Sequence, residues 1–277
     1  MLKNNMNIKK SLGTFLINFP SKITPRFVEE RADPERLSID RFVKNEVAPN
    51  VKKDALVLDA GAGTRYFSNF FKHTRYVSTD FENVFDENSR DIHDFVCDLA
   101  DIPKEDNTYD VILNTQVLEH VPDPQKVANE LFRVLKPGGN LYVTVPQMWM
   151  VHGAPYNYFF FTRYGLEEMF TKAGFTIKKI EARGGAFWFM TKFTSVLGSY
   201  ILYQHIFTGY KKGVGFKPKF KGTVTAYLLL PFLPIVQLIF GYWIPFLLYY
   251  LDFLDKQQDF TLGYQCVCQK PESTTVK

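Results

Sequence analysis

Ala55-Leu56-Val57-Leu58-Asp59-Ala60-Gly61-Ala62-Gly63 decides how this chain folds: an apolar run, an acid, and glycines in alternate positions. The run suits a strand buried on both faces of a parallel sheet. Gly61 and Gly63 let the backbone turn tightly and approach a ligand where a side chain would obstruct it. The pattern is that of a nucleotide-cofactor turn. It is not a nicotinamide fingerprint, which has no acid ahead of its glycines and carries a third glycine where this chain has Tyr66.

Outward from that turn, further segments fall where a doubly wound sheet needs them. Tyr76-Val77-Ser78-Thr79 ends in Asp80, about 20 residues after Asp59, the spacing at which a carboxylate accepts from both hydroxyls of a ribose. Phe95-Val96-Cys97 leads into Asp98 and Leu99. Asp110-Val111-Ile112-Leu113-Asn114 reads as a fourth strand, residues 131–139 as a helix end with a Pro-Gly-Gly turn, and 141–145 as a fifth strand. Residues 175–183 and 261–269 supply the last two. The expected fold is α/β: a doubly wound, mostly parallel, seven-stranded Rossmann-like sheet with a crevice at the strands' carboxyl ends.

The acid followed by alternating glycines resembles the first motif of the class I S-adenosylmethionine (SAM) dependent methyltransferases. Residues 55–183 resemble the methyltransferase type 11 family more closely, and within it the members found with bacterial cell-surface glycan synthesis. The specific part of the likeness is residues 115–124 and His152-Gly153-Ala154-Pro155-Tyr156, followed by Thr162 and Gly165-Leu166. The resemblance implies SAM as cofactor, with Asp59, Gly61 and Gly63 at its turn. It implies Asp80 with Phe81 at the ribose and Asp98 with Leu99 at the adenine, although Asp98 also reads as a loop cap. Asn114 and Gln116 fall at the methionine portion or the acceptor, or else satisfy backbone groups at the strand end. Arg65 departs from the family, standing where many relatives carry a third glycine.

The sulfonium already activates the methyl group, so such an enzyme mainly aligns an acceptor and excludes water, worth about 7 to 11 kcal/mol when alignment is good. If the acceptor is a hydroxyl, a base adds about 10²- to 10⁴-fold, and histidine suits neutral pH. His120, after the fourth strand, and His152, after the fifth, are the candidate catalytic residues; each also reads as a pocket-shaping residue. Tyr156, Tyr158 and Phe159 are candidates to line the acceptor site. Glu119, His120 and Asp123 lie close in sequence but lack the spacing of a cation loop, so no metal is assigned.

The length of 277 residues accommodates one α/β core and an elaboration. Cys97, Cys266 and Cys268 are expected to be reduced and structural. The amino terminus lacks the long apolar core of a cleaved signal. The expected organisation is a basic segment with leading helices over 1–50, a SAM-binding domain over 51–183 and 261–270, an insert over 184–260, and a flexible tail over 271–277. The insert has 77 residues, 20 of them aromatic, too many for a loop. From 224 to 251 its only strongly polar side chain is Gln237, yet Pro231, Pro234 and Pro245 favour two or three short helices over one rod. The earlier apolar part, 193–207, reads as too short for a crossing.

No acid occurs from 193 to 251, while Lys211, Lys212, Lys217, Lys219 and Lys221 lie between the apolar parts. Lys3, Lys9, Lys10, Lys22 and Arg26 repeat that sign before the first acid, Glu29. The expectation is peripheral or monotopic attachment through 193–251 on the cytoplasmic face of the membrane. The acceptor is then a lipid-linked glycan intermediate, a polyprenol-like lipid or a quinone. Two alternatives stay open: a soluble enzyme for a small metabolite or nucleotide sugar, its insert a lid or homodimer interface, and a SAM-binding scaffold without turnover. No nucleic-acid module is present, so nucleic acid is not an expected partner.

Overall fold

A computed structural model describes residues 19–81, 92–211 and 215–272, with side chains described except at 197–204 and 208–220. Lys3, Lys9, Lys10, Lys212, the side chains of Lys211, Lys217 and Lys219, and tail residues 273–277 lie outside it. The chain divides into two compact units: Ser38–Arg183 with the chain from Leu262, and the chain up to Leu37 with Gly184–Thr261. The amino-terminal boundary thus falls at Leu37, earlier than the 1–50 segmentation expects. Phe42, Val43 and Val47, just beyond it, are buried in one apolar cluster with Val57 and Leu113.

The first unit holds strands β1 (Leu56–Ala60), β2 (Arg75–Asp80), β3 (Phe95–Val96), β4 (Tyr109–Thr115), β5 (Leu135–Pro146) and β6 (Thr176–Ala182). A hairpin of β7 (Phe207–Lys211) and β8 (Gly215–Phe220) belongs to the other unit, and β9 (Gly263–Gln269) returns to the first. The seven-stranded sheet runs β3-β2-β1-β4-β5-β9-β6. β1 to β5 pair parallel, whereas β9 lies antiparallel between β5 and β6. Strand order reverses between β1 and β4, which opens the crevice at their carboxyl ends. Val57, Leu58, Ile112, Leu113 and Val143 are fully buried, as strands covered on both faces require.

Helix Pro124–Val134 buries Val127, Ala128, Leu131 and Val134, one stripe at helical spacing. Helix Arg163–Ala173 starts at Thr162, whose side chain accepts from Gly165 N–H, and ends at Gly174 in the left-handed region. Elsewhere the strand-helix alternation thins. A 3₁₀ run, Tyr66–Phe71, joins β1 to β2, and turns without a helix join β3 to β4. β5 also begins earlier than position 141: Leu135 pairs with Tyr109, and an irregularity then resets the register. Gly138, at φ 78°, supplies a left-handed turn within that stretch.

In the other unit, helix Ala186–Ile206 has 21 residues, so the 15-residue reading of 193–207 missed its start. The signal lies far along the chain. Asp252 accepts from Gly185 and Trp188 N–H, both at 2.9 Å, and Asp255 from Ala186 N–H at 2.7 Å, satisfying the first turn. Trp188 and Tyr249 stack at 5.1 Å between centroids. Lys192 pairs with Asp33 at 2.8 Å and Glu35 at 3.0 Å.

Val224–Leu254 is one helical path of 31 residues, long and apolar enough by length and composition to cross a membrane. Within that path the α-helical parts are three short segments, Val224–Leu229, Leu233–Leu238 and Ile244–Leu251, as the prolines lead one to expect. Each proline falls in the first two positions of a new segment, where a missing N–H costs little: Pro231 in a 3₁₀ turn, Pro234 and Pro245 in α segments. A π-helical stretch, Ile239–Trp243, absorbs the remaining mismatch.

Candidate functional site

The site is built where β1 and β4 part. Asp59 is 1% exposed at the end of β1, and Tyr76, from neighbouring β2, donates its hydroxyl hydrogen to Asp59 Oδ2. Burial pushes the Asp59 carboxyl up to about 7, against the opposing effect of that hydrogen bond; the nearby Asp80 charge adds to the rise and Arg65 offsets it. Arg65 adopts the left-handed conformation at φ 58° and places its guanidinium 5.6 Å from the Tyr76 ring centroid. Its Nη1 donates to the Ile92 carbonyl at 2.5 Å. Two positions past Gly63 the chain thus uses an arginine fastened at its far end.

Gly61 and Gly63 do different work. Both have positive φ, but a Cβ on Gly61 would lie 2.4 Å from Val117 Cγ2, whereas one on Gly63 would meet nothing within 4 Å. Protein crowds the first glycine and open space faces the second. Asp80 Oδ2 accepts from Gly63 N–H at 2.7 Å, and its Oδ1 accepts from the N–H of exposed Phe81 at 2.7 Å. The acid at the end of β2 thus holds the turn in shape.

Asp98 Oδ1 accepts from Ala100 N–H at 2.8 Å, so it caps its loop. Leu99 is 5% exposed and its side chain packs in the main apolar core. Asn114 Nδ2 donates to the Ala60 carbonyl at 2.8 Å and ties β4 to β1. Its buried Oδ1, like Asp59 Oδ1, has no hydrogen-bond partner among the described residues. Gln116 sits at φ 55°, a strained position for a residue with a side chain, and its N–H donates to Thr144 O at 2.8 Å.

Past Gln116, the 3₁₀ turn Leu118–His120 brings Glu119 and His120 to the same end of the sheet, where His152 from the loop after β5 meets them. Glu119 is fully buried. The His120 and His152 rings meet edge to face, 4.9 Å between centroids. Burial holds His120 below the ordinary imidazole range; its bond to the Tyr156 carbonyl opposes this, the neighbouring His152 reinforces it, and Asp80 opposes it. Of the aromatic candidates, Tyr158 and Phe159 are exposed, and their N–H groups donate to the Glu119 carbonyl at 2.8 and 3.3 Å. Asp123 stands apart from this group: its Oδ1 accepts from Lys126 N–H at 3.0 Å and caps helix Pro124–Val134.

Sequence reading missed the Tyr76–Asp59 bond, the Val117–Gly61 contact, and the meeting of Glu119 with His152. All three join residues from separate strands or loops. The one available signal was the position of His120 and His152 after adjacent strands, which puts both at one edge of the sheet.

Residues 30–180 match the methyltransferase domain family, and the chain belongs to it. Family and sheet order together make this a class I methyltransferase domain, whose cofactor is SAM. Among similar proteins, one of Mycolicibacterium smegmatis named as a SAM-dependent methyltransferase is 33% identical over 96 residues, 32% of this chain and 37% of the relative. A demethylmenaquinone methyltransferase of Clavibacter sepedonicus is 34% identical over 104 residues, 35% of this chain and 42% of the relative. A solved Galdieria sulphuraria methyltransferase named for sarcosine and dimethylglycine superposes with a TM-score of 0.52 at 14% identity, covering 86% of each chain, and shows the shared fold. The chain spans about two fifths of the length of the curated relatives it matches.

Proposed function

We propose that this protein transfers a methyl group from SAM to a lipophilic acceptor at the cytoplasmic face of a membrane. The observation that carries the membrane reading is an exposed apolar stripe on Val224–Leu254. Leu228, Phe232, Ile235, Ile239, Trp243 and Leu247, spaced by three or four residues, are 43% to 67% exposed. A soluble helix turns such a face inward.

In-plane attachment fits better than a transmembrane hairpin. β6 and β9 pair within one sheet, so the insert leaves and returns on the same side of any bilayer. A crossing pair of helices would carry Lys211, Lys212, Lys217, Lys219 and Lys221 to the far side, against the preference of lysine for the cytoplasmic face. With the helices lying in one leaflet, those lysines stay among anionic headgroups.

The cradle fits SAM. Open space beyond Gly63 leaves room for close approach to the backbone, and the half-buried Asp80 carboxylate at the end of β2 suits ribose hydroxyls. Asp98 keeps an oxygen besides its loop-capping one for the adenine amino group, while Asp59, Asn114 and Gln116 shape the turn beneath the methionine portion. Bound SAM supplies an activated methyl group. The chain's own residues bind it, orient the acceptor and exclude water, and His120 and His152 handle the acceptor's proton. The acceptor classes are a lipid-linked glycan intermediate, a polyprenol-like lipid or a quinone; the name of the Clavibacter relative favours the last.

Incubating the purified chain with labelled SAM and fractionated membrane-lipid extract tests the reading. Label entering an organic-soluble product supports it. Transfer only to water-soluble metabolites, by protein that stays in the supernatant without detergent or high salt, favours the soluble alternative.

A further inference from the structure

We propose that Glu119, His120 and His152 bind a divalent first-row transition ion through one carboxylate oxygen and two imidazole nitrogens. One ligand atom from each lies within 4.8 Å of the others, and His120 Nε2 is 3.8 Å from Glu119 Oε1. Local sequence spacing does not reveal this group, because the third member is His152, from the loop after β5, and not Asp123.

The hydrogen bonds on the far side of each ring orient the lone pairs. A backbone carbonyl only accepts, so His120 Nδ1, 2.5 Å from the Tyr156 oxygen, carries its ring's hydrogen. His152 Nδ1 stands in the same relation to the Met150 oxygen at 3.1 Å. Each neutral ring then has its lone pair on Nε2, and a carbonyl behind the ring is the usual support of a metal-bound imidazole. The Glu119 carbonyl, by accepting from Tyr158 and Phe159 N–H, holds the His152 loop over the Leu118–His120 turn. Two imidazole lone pairs and an oxygen of the fully buried Glu119 carboxylate thus make up the donor set.

Two nitrogens and one carboxylate suit zinc, manganese, iron or cobalt better than magnesium or calcium. Bonds of about 2.0 to 2.2 Å place donor atoms roughly 3 to 3.5 Å apart. His152 lies in a loop and is only partly buried, so rotation of its ring closes the remaining distance. The ion leaves coordination positions open to an acceptor oxygen. There the O–H bond breaks, the electron pair stays on the ion-bound oxygen, and the proton goes to solvent water. This deepens the reading above, on which it rests for the acceptor's position, and changes the histidines' part in it: they hold an ion that acidifies the acceptor hydroxyl instead of taking its proton themselves.

The test is titration of chelator-treated full-length protein with Co²⁺, without SAM or acceptor. The expected result is one Co²⁺ per chain with visible d–d absorption that Zn²⁺ displaces. His152→Ala, in a loop, should weaken binding by about 100-fold or more, the upper end of what loss of even an outer-shell partner costs, with the thermal midpoint unchanged. Glu119→Gln should weaken it similarly if it folds. No absorption band at millimolar Co²⁺, wild-type binding by His152→Ala, or full methyl transfer after chelation would each overturn the proposal. Stoichiometric ion binding without transfer to any acceptor would count against the methyltransferase reading and leave the ion site standing.

Discussion

Tyr76 donates its hydroxyl hydrogen to Asp59, joining β2 to β1 where the cofactor turn begins. Asp59 is buried enough that its carboxyl rises to about 7, against 3.8 when solvated. Between those values the folded chain holds a proton that the unfolded chain has released. This group's contribution to stability is therefore fully present below the lower value and lost as pH rises through the upper one. Wild type should lose thermal stability relative to Asp59→Asn between about pH 4 and pH 7, with no further divergence at higher pH. Parallel melting profiles for the two proteins would refute the assignment.

Gly61 and Gly63 make a matched pair of tests. Gly63→Ala places a methyl in open space at positive φ, so it should cost about 1 to 2 kcal/mol of stability, while the methyl obstructs the cofactor. SAM affinity should fall about tenfold or more, a loss of 1.4 kcal/mol. Gly61→Ala drives a methyl into Val117 and should cost about 2 to 5 kcal/mol in stability. Calorimetric melting with and without SAM separates the two; equal stability losses would contradict the contrast.

Leu228 and Leu247 are 67% and 61% exposed on the apolar stripe, so Leu228→Glu and Leu247→Glu should leave melting unchanged. Burying one leucine in lipid is worth about 1.5 to 3 kcal/mol, so each change should weaken binding to anionic vesicles about tenfold or more. Sedimentation with vesicles measures this. Undiminished binding by the double variant would remove the stripe from the membrane account.

Asp123 caps helix Pro124–Val134 and stands outside the ion site. Asp123→Ala should cost about 1 kcal/mol in denaturant unfolding and leave Co²⁺ affinity at the wild-type value. A large loss of Co²⁺ binding would return Asp123 to the ligand set.

The strand plan was legible because each strand carries its own apolar run and ends in a polar residue: Asp59, Asp80 and Asn114 mark the sheet edge from local pattern alone. Features set by distant partners were not. Helix Ala186–Ile206 begins at Ala186 and not near Phe193, and Asp252 and Asp255, more than sixty positions on, satisfy its first N–H groups. The early start of β5 depends on pairing with Tyr109, and the role of Gly61 depends on where Val117 falls. At the site, the acids and glycines could be read from order and spacing. The packing of Leu99 could not, since only the packed sheet shows that its side chain turns toward the core.

Calorimetric titration of the purified chain with SAM tests the central claim most directly. The account predicts one binding site, weakened by about tenfold or more in Asp80→Ala, since that carboxylate both shapes the turn through Gly63 and meets the ribose. Absence of binding to the wild type, or undiminished binding to a variant with Asp59 and Asp80 both replaced by alanine, would contradict it.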